Sequence, residues 1–371
     1  MLPEIGSNFW EYTIEKPRAH KFWWENENFS IYFFKSGRNA TRAIGTIATV
    51  AHGKKILLPA YLCETEVDPW KDLGWSIYFY QIDRNLTINT TDLQEKIQLI
   101  HPDVVLVQSY FGFVSENVLL KEILENYRKS NGVVVEDITQ SLFTDIPMCE
   151  ADFYVASLRK FFAIPDGGVL ISKKALTFRN IEKSSDSIDE EAQKAFDTKK
   201  EYFLTLKPKT KNDFRNHFEQ LNEQIITNDT LYEISPLSKK IFEHLSFYEI
   251  STPRIRNYSK LRQDILRIPQ VQIVTQEIDD TTNCVPLYLS VYFKTTEIRN
   301  CIRAEMAKRD IYCPIIWPRL RNTVINISES LYIYDHILCL PIDQRYDFDD
   351  MKRISITLAK LCNELNGSRS Q

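Results

Sequence analysis

Lys160, in the run ADFYVASLRKFFAIPDGGVLIS, is the residue with the most to offer chemically. Flanked by Phe161, Phe162 and Ile164, it is expected to be partly desolvated, which favours the neutral amine and makes it a nucleophile toward an aldehyde. A second group closes the run GVVVEDITQS, where an apolar stretch leads into Glu136, Asp137 and then Gln140. Successive side chains of a strand point to opposite faces, so only one of the two acids can face a ligand alongside Gln140. A carboxylate in that place can keep a pyridine nitrogen protonated. The third group is KSGRNATRAIGTI, a small-residue turn entering a helix. There the N–H groups of Gly37 to Asn39, the Ser36 hydroxyl and the helix dipole would suit a phosphate monoester. Taken singly, each group has an ordinary reading: a lysine stem lying on apolar surface, an acid capping a helix, a common helix cap.

The elements that must position these residues are legible as βα units. From about residue 30 to 175, short β-branched or aromatic runs alternate with amphipathic stretches, the pattern of a mainly parallel sheet. KKILLPA, WSIYFYQI, DVVLVQSYF, GVVVEDI, ADFYVAS and GGVLISK read as strands, apolar without strict alternation, as expected of strands covered on both faces. Helices are predicted after Ser36 up to Gly53, from Thr90 or Thr91 to before Pro102, and over Glu116 to Lys129. In such a sheet ligands bind beyond the carboxyl ends of the strands, where all three groups lie. From 178 to 235 the chain is polar and helical in character. One long helix is predicted from Ser235 to Leu266, then alternating runs at CVPLYLSVYF and IYCPIIWP, with a helix at EIRNCIRAEMAKRD between them. The expected organisation is an N-terminal segment over 1–29 packing near the small domain, a large domain over 30–235 and a smaller α+β domain over 236–371.

Composition narrows the function. The 46 basic and 50 acidic residues are interspersed, so nothing in the charge pattern invites nucleic acid or an anionic membrane, and small molecules are the expected partners. No apolar run approaches the length of a spanning helix, and the N-terminal residues lack the plan of a secretion signal, which points to a cytoplasmic location. Seven cysteines without a close pair read as reduced, mostly buried thiols.

Taken in order, four features resemble the fold type I pyridoxal 5'-phosphate (PLP) enzymes, the aspartate aminotransferase superfamily, and more narrowly the DegT/DnrJ/StrS type of sugar aminotransferase. They are Ser36-Gly37-Arg38, Pro59-Ala60-Tyr61, Glu136-Asp137-Ile138-Thr139-Gln140, and Ser157-Leu158-Arg159-Lys160 ahead of Gly167-Gly168. The resemblance covers roughly residues 30–175 and is weaker beyond, where it rests on PRIRNYSKL, Trp317-Pro318 and LPIDQRYDFDDMKRI. It implies that Lys160 holds PLP as a Schiff base and moves protons, and that Asp137 pairs with the pyridine nitrogen. Gln140 would lie beside the ring, and Ser157, Ser36, Gly37 and Arg38 would hold the phosphate. It also implies a homodimer. The chain departs from the family in two places. Its lysine follows the serine by three residues rather than five, a spacing nearer to other fold type I branches. Cys63 occupies the position of the ring-stacking aromatic, leaving Tyr61 or Tyr110 to stack, and Asn212 and Arg215 are the weak counterparts of the family's inter-subunit phosphate contact. The implied reaction is amino transfer from a donor such as glutamate to a keto sugar, plausibly nucleotide-linked. The alternatives are a PLP-dependent lyase, aldolase, decarboxylase or epimerase, with Arg254, Arg319 or Arg321 clamping an amino-acid carboxylate, and a non-catalytic protein that keeps the fold.

Overall fold

The computed structural model describes residues 3–47, 53–114, 117–178, 180–226, 230–278 and 284–367. Its centre is a seven-stranded sheet. In chain order the elements are β1 (Ser30–Phe34), α1 (Gly37–Ile47), β2 (Lys55–Pro59), α2 (Glu64–Asp72), β3 (Ser76–Tyr80) and α3 (Thr90–Ile100). They continue with β4 (Val104–Gln108), α4 (Val118–Lys129), β5 (Val133–Asp137), β6 (Phe153–Ser157) and β7 (Gly168–Ser172). The strand order is β1-β7-β6-β5-β4-β2-β3, parallel throughout except that β7 runs antiparallel to both its neighbours. All six expected strands are present, and β4 and β7 are buried along their whole length, as unbroken apolar runs require. The first helix ends at Ile47 among the described residues, and the predicted start of α4 at Glu116 lies outside them.

The helices begin where local chemistry tells them to. Asn89 caps α3 by accepting from Asp92 N at 2.9 Å, and Asn117 caps α4 by accepting from Leu120 N at 3.0 Å. Because β1, β2, β5 and β6 all end on one edge of the sheet, the strand-end residues of the three chemical groups share that edge.

Beyond the sheet come β8 (Ile181–Glu182), α5 (Asp186–Thr205), α6 (Pro208–Ile225) and β9 (Leu231–Tyr232), with α5 packed on α6 around Phe196, Phe214 and Phe218. The long helix expected after Ser235 is two helices, α7 (Pro236–His244) and α8 (Phe247–Ile265). Leu245 turns to extended backbone and Ser246 starts a fresh helix by accepting from Glu249 N. A side chain bonding its own backbone has won over helical continuity there. The rest is β10 (Gln272–Ile273), β11 (Tyr288–Tyr292), α9 (Thr296–Ala307), α10 (Ser328–His336), β12 (Ile337–Pro341) and α11 (Phe348–Gly367), in which β10, β11 and β12 form a three-stranded antiparallel sheet. The run IYCPIIWP forms no strand; only Ile311 is paired, in a bridge with Ile5. That bridge fixes the start of the chain against the C-terminal sheet, whereas Phe22 and Trp24 pack with Phe242 on the large-sheet side.

Candidate active site

The site is assembled at the carboxyl edge of the large sheet. β5 delivers two acids to opposite faces. Asp137 enters a cavity of about 280 Å³, while Glu136 points into the interior and accepts from Met148 N at 2.8 Å and Cys149 N at 3.2 Å. Asp137 is steadied by the Thr139 N–H, which donates to its Oδ1 at 2.7 Å, and Thr139 in turn accepts from Ser157 N at 2.9 Å. The loop after β5 is thereby tied to the end of β6. From Ser157 a single 3-10 turn, Leu158–Lys160, buries Leu158 and presents Lys160. On the other side Ser36 caps α1 by accepting from Asn39 N at 3.2 Å. Gly37 lets that turn press on Ser157: a Cβ there would stand 3.2 Å from the Ser157 nitrogen.

Ser36, Gly37, Arg38, Asp137, Ser157 and Lys160 therefore line one cavity. Two other predicted ligands do not. Gln140 lies beneath the loop, buried, with Oε1 accepting from Phe111 N at 2.7 Å. The turn after Asp137 sends Thr139, not Gln140, to the cavity wall. Tyr61 is wholly buried in an aromatic cluster with Tyr110, Trp317 and Tyr334, and its carbonyl accepts from Gln108 and Tyr110. Neither it nor Tyr110 reaches the cavity; Cys63 and Trp317 do. Lys160 also differs from expectation. Its side chain is exposed while Phe161, Phe162 and Ile164 turn into the core, so the neighbouring apolar residues do not desolvate it.

Other candidates are spent elsewhere. The Arg254 guanidinium is buried and donates to the carbonyls of Phe161 and Leu287 and to Gln344, Arg319 pairs with Asp335, and Arg215 reaches the Tyr312 hydroxyl. Arg38 lines the cavity but turns its guanidinium to Asp68 at 3.1 Å. Residues that sequence reading missed are Thr139, Glu66, Arg159, Asn222 and Trp317, all on the cavity wall. Thr139 and Arg159 lay inside quoted motifs, and Trp317 in the pair with Pro318, each without a role. Arg159 donates to a neutral partner, Oδ1 of Asn222, at 2.8 Å.

Burial raises both acids of β5. The Asp137 carboxyl is pushed up by desolvation, partly offset by the Thr139 hydrogen bonds and the charge of Lys160. Glu136, with no exposure, is pushed up to about 7, the Met148 and Cys149 N–H groups offsetting part of the burial. A carboxyl raised on folding stabilises the fold fully below its unfolded value and loses that contribution as pH rises through its folded value. From 4.5 to about 7 the loss amounts to about 3 kcal/mol. Urea unfolding of the wild type and Glu136→Gln at pH 4.5 and pH 8 should show the variant gaining about that much on the wild type as pH rises. A difference independent of pH would mean that Glu136 does not titrate in this range.

The donor set fits PLP: an amine for the aldehyde, a carboxylate for the ring nitrogen, and, for the phosphate, the hydroxyls of Ser36 and Ser157 at the start of a helix with no acid in its first turn. In fold, the chain is similar to the fold type I PLP-dependent transferases. Residues 19–200 match the family described as aminotransferase class-V. No curated protein sequence matches the chain. Solved structures with the same fold include one described as a sugar aminotransferase of Streptococcus pneumoniae in its PMP form. It is 14% identical, with 92% of this chain and 88% of that one covered at a TM-score of 0.69. The aminotransferase TlmJ of Streptoalloteichus hindustanus is similar at 12% identity, 91% and 86% coverage and a TM-score of 0.62. A DegT DnrJ EryC1 StrS aminotransferase of Brucella abortus follows at 12% identity, 88% and 84% coverage and a TM-score of 0.60. At such identities the likeness is one of fold.

Proposed function

We propose that this protein is a PLP-dependent aminotransferase that takes an amino group from a donor such as glutamate and places it on a keto sugar, carried as a nucleotide conjugate. The observation that carries the reading is the meeting, in one cavity, of Lys160, Asp137 and the Ser36-Gly37 turn beside Ser157. The sugar substrate is supported by the structures of like fold that are described as sugar aminotransferases.

When bound, PLP supplies an electron sink for the carbon that loses or gains the amino group. Asp137 would accept the N–H of the ring nitrogen and keep that nitrogen protonated. Ser36, Ser157 and the first turn of α1 would hold the phosphate, with Thr139 fixing the position of Ser157. The Nζ of Lys160 would hold the cofactor's aldehyde carbon and would carry the proton between the two carbons on either side of the transferred nitrogen. Arg159 is a cation on the cavity wall available to an anionic group of donor or acceptor, whereas Arg254 and Arg319, two of the three expected clamps of an amino-acid carboxylate, are engaged in the protein and the third, Arg321, does not line the cavity. A second copy of the chain is proposed to close the exposed side of Lys160. Among the described residues no helix is long and apolar enough to cross a membrane, in keeping with a small-molecule enzyme of the cytoplasm.

Purified protein with PLP should develop a visible absorption band that glutamate bleaches to the spectrum of pyridoxamine phosphate. A band unmoved by any amino acid but altered by lyase or epimerase substrates would replace the transfer reading. Absence of a band would remove the cofactor.

A further inference from the structure

Glu66 has no part in the chemistry above, yet it stands on the first turn of α2 and lines the same cavity as Asp137. Its Oε1 accepts from the hydroxyl of Thr41, a fully buried residue of α1, at 3.0 Å, so a neighbouring helix holds the carboxyl in place. Among the described residues no ion pair joins it to a cation, and Lys71 of its own helix donates to Asn322 and Thr323. From α1, Arg38 pairs with Asp68 at 3.1 Å and Arg42 with Asp72 at 3.8 Å. From its own helix come Glu64, Asp68 and Asp72, with Cys63 at the cap. From the end of β5 comes Asp137, and from the turn after β6 come Arg159, which donates to Asn222, and Lys160, whose charge acts on Asp137.

Two carboxyls lining one cavity do not both ionise at low cost, and they titrate as a pair. Asp137 has the stronger claim to the negative charge, through the Thr139 N–H and the ammonium of Lys160. Glu66 is raised well above the usual carboxylate range, by burial first and then by the charge of Asp137, against a single hydroxyl donor.

We propose that Glu66 and Asp137, two carboxyls lining one cavity, act on each other through their charges, and that Glu66 is a positioning residue that sets, through Asp137, the pH range over which the site keeps a bound pyridine nitrogen protonated. This rests on the cofactor reading above. Below that range Glu66 is neutral and Asp137 alone faces the ring. As pH rises Glu66 gives up its proton, and the added negative charge strengthens the hold on the ring proton.

The test is a pH titration of the ring nitrogen, read from the nitrogen NMR signal of isotopically labelled PLP bound to wild type, Glu66→Gln and Glu64→Gln, with the visible band as the check of loading. The first variant keeps an acceptor for Thr41 and removes the titrating group. The second removes a charge from the same helical turn, where Glu64 accepts from the N–H groups of Arg321 and Asn322 outside the cavity. Glu66→Gln should move the spectral midpoint down by about one pH unit, a tenfold loss of proton affinity, with thermal stability retained. Glu64→Gln should leave the midpoint in place. Coincident midpoints for wild type and Glu66→Gln, with the band present in both, would overturn the pair while leaving the cofactor reading intact. An equal shift from Glu64→Gln would overturn it in favour of a general field effect. A wild type with no band would overturn the cofactor reading and the pair together.

Discussion

Lys160→Ala is expected to lower amino transfer by a factor on the order of a million while leaving the fold untouched, because one nitrogen both attaches the cofactor and moves the proton. The structure separates these two consequences. The side chain is exposed, whereas the turn that presents it is held by buried Leu158 and by the bond from Ser157 N to Thr139. Deleting an exposed lysine stem costs no more than about 0.5 kcal/mol, so the melting temperature should stay within about 2 °C. Lys160→Arg keeps the charge that acts on Asp137 but offers no amine able to condense with an aldehyde, and should be as inactive as the alanine variant. Product formation, the visible band and thermal melts of the three proteins decide the matter. Retention of a tenth of the activity by either variant would remove Lys160 from the chemistry. Loss of activity together with a large fall in melting temperature would make it structural.

What the sequence could and could not disclose follows the same division between local and tertiary causes. The strands of the large sheet were legible because burial on both faces writes itself as runs such as VVLVQ and GVLIS. Strand ends were legible as places for ligands, and Asp137, Ser157, Lys160 and the Ser36 turn, chosen on that ground, line one cavity. The alternation of a strand also left one acid of β5 for the ligand and one for the interior, and the structure assigns them to Asp137 and Glu136. The errors begin where a backbone turn decides. Gln140 and Tyr61 each lie a few residues past a strand, and the direction of a side chain there depends on loop geometry that residue types do not encode. Arg159 stood inside a quoted motif with nothing to mark its role, and Glu66 lay in no motif. Glu66 shares a cavity with Asp137 because β2 lies beside β4, and β4 beside β5, bringing the start of α2 near the end of β5, a consequence of sheet order. The break between α7 and α8 was missed for a smaller reason: Ser246 caps a new helix in a stretch with no glycine or proline at the break to announce it.

Gly168→Ala is expected to cost about 4 kcal/mol or more, an extreme value for adding one methyl group. A Cβ at Gly168 would lie 2.1 Å from both the carbonyl carbon and the oxygen of Ser36 and 2.5 Å from the nitrogen of Gly37. These are backbone atoms, so no rotamer change can make room. β7 cannot give way either, since it is hydrogen-bonded to β1 on one side and β6 on the other along its full length. The strain must fall on the Ser36-Gly37 turn, which is pushed away from Ser157, and the contact surface offered to a phosphate opens. Stability and cofactor affinity should therefore fall together, whereas Gly74→Ala separates backbone conformation from steric fit. Gly74 has a φ of +76° with no atom within 4 Å of the place an added methyl group would take, so its replacement should cost only about 1–2 kcal/mol of backbone strain and leave PLP binding unchanged. Urea unfolding and PLP titration of both variants check the ranking. If Gly168→Ala unfolds within about 1 kcal/mol of wild type and binds PLP normally, the close approach of β7 to the phosphate turn is not what shapes the site.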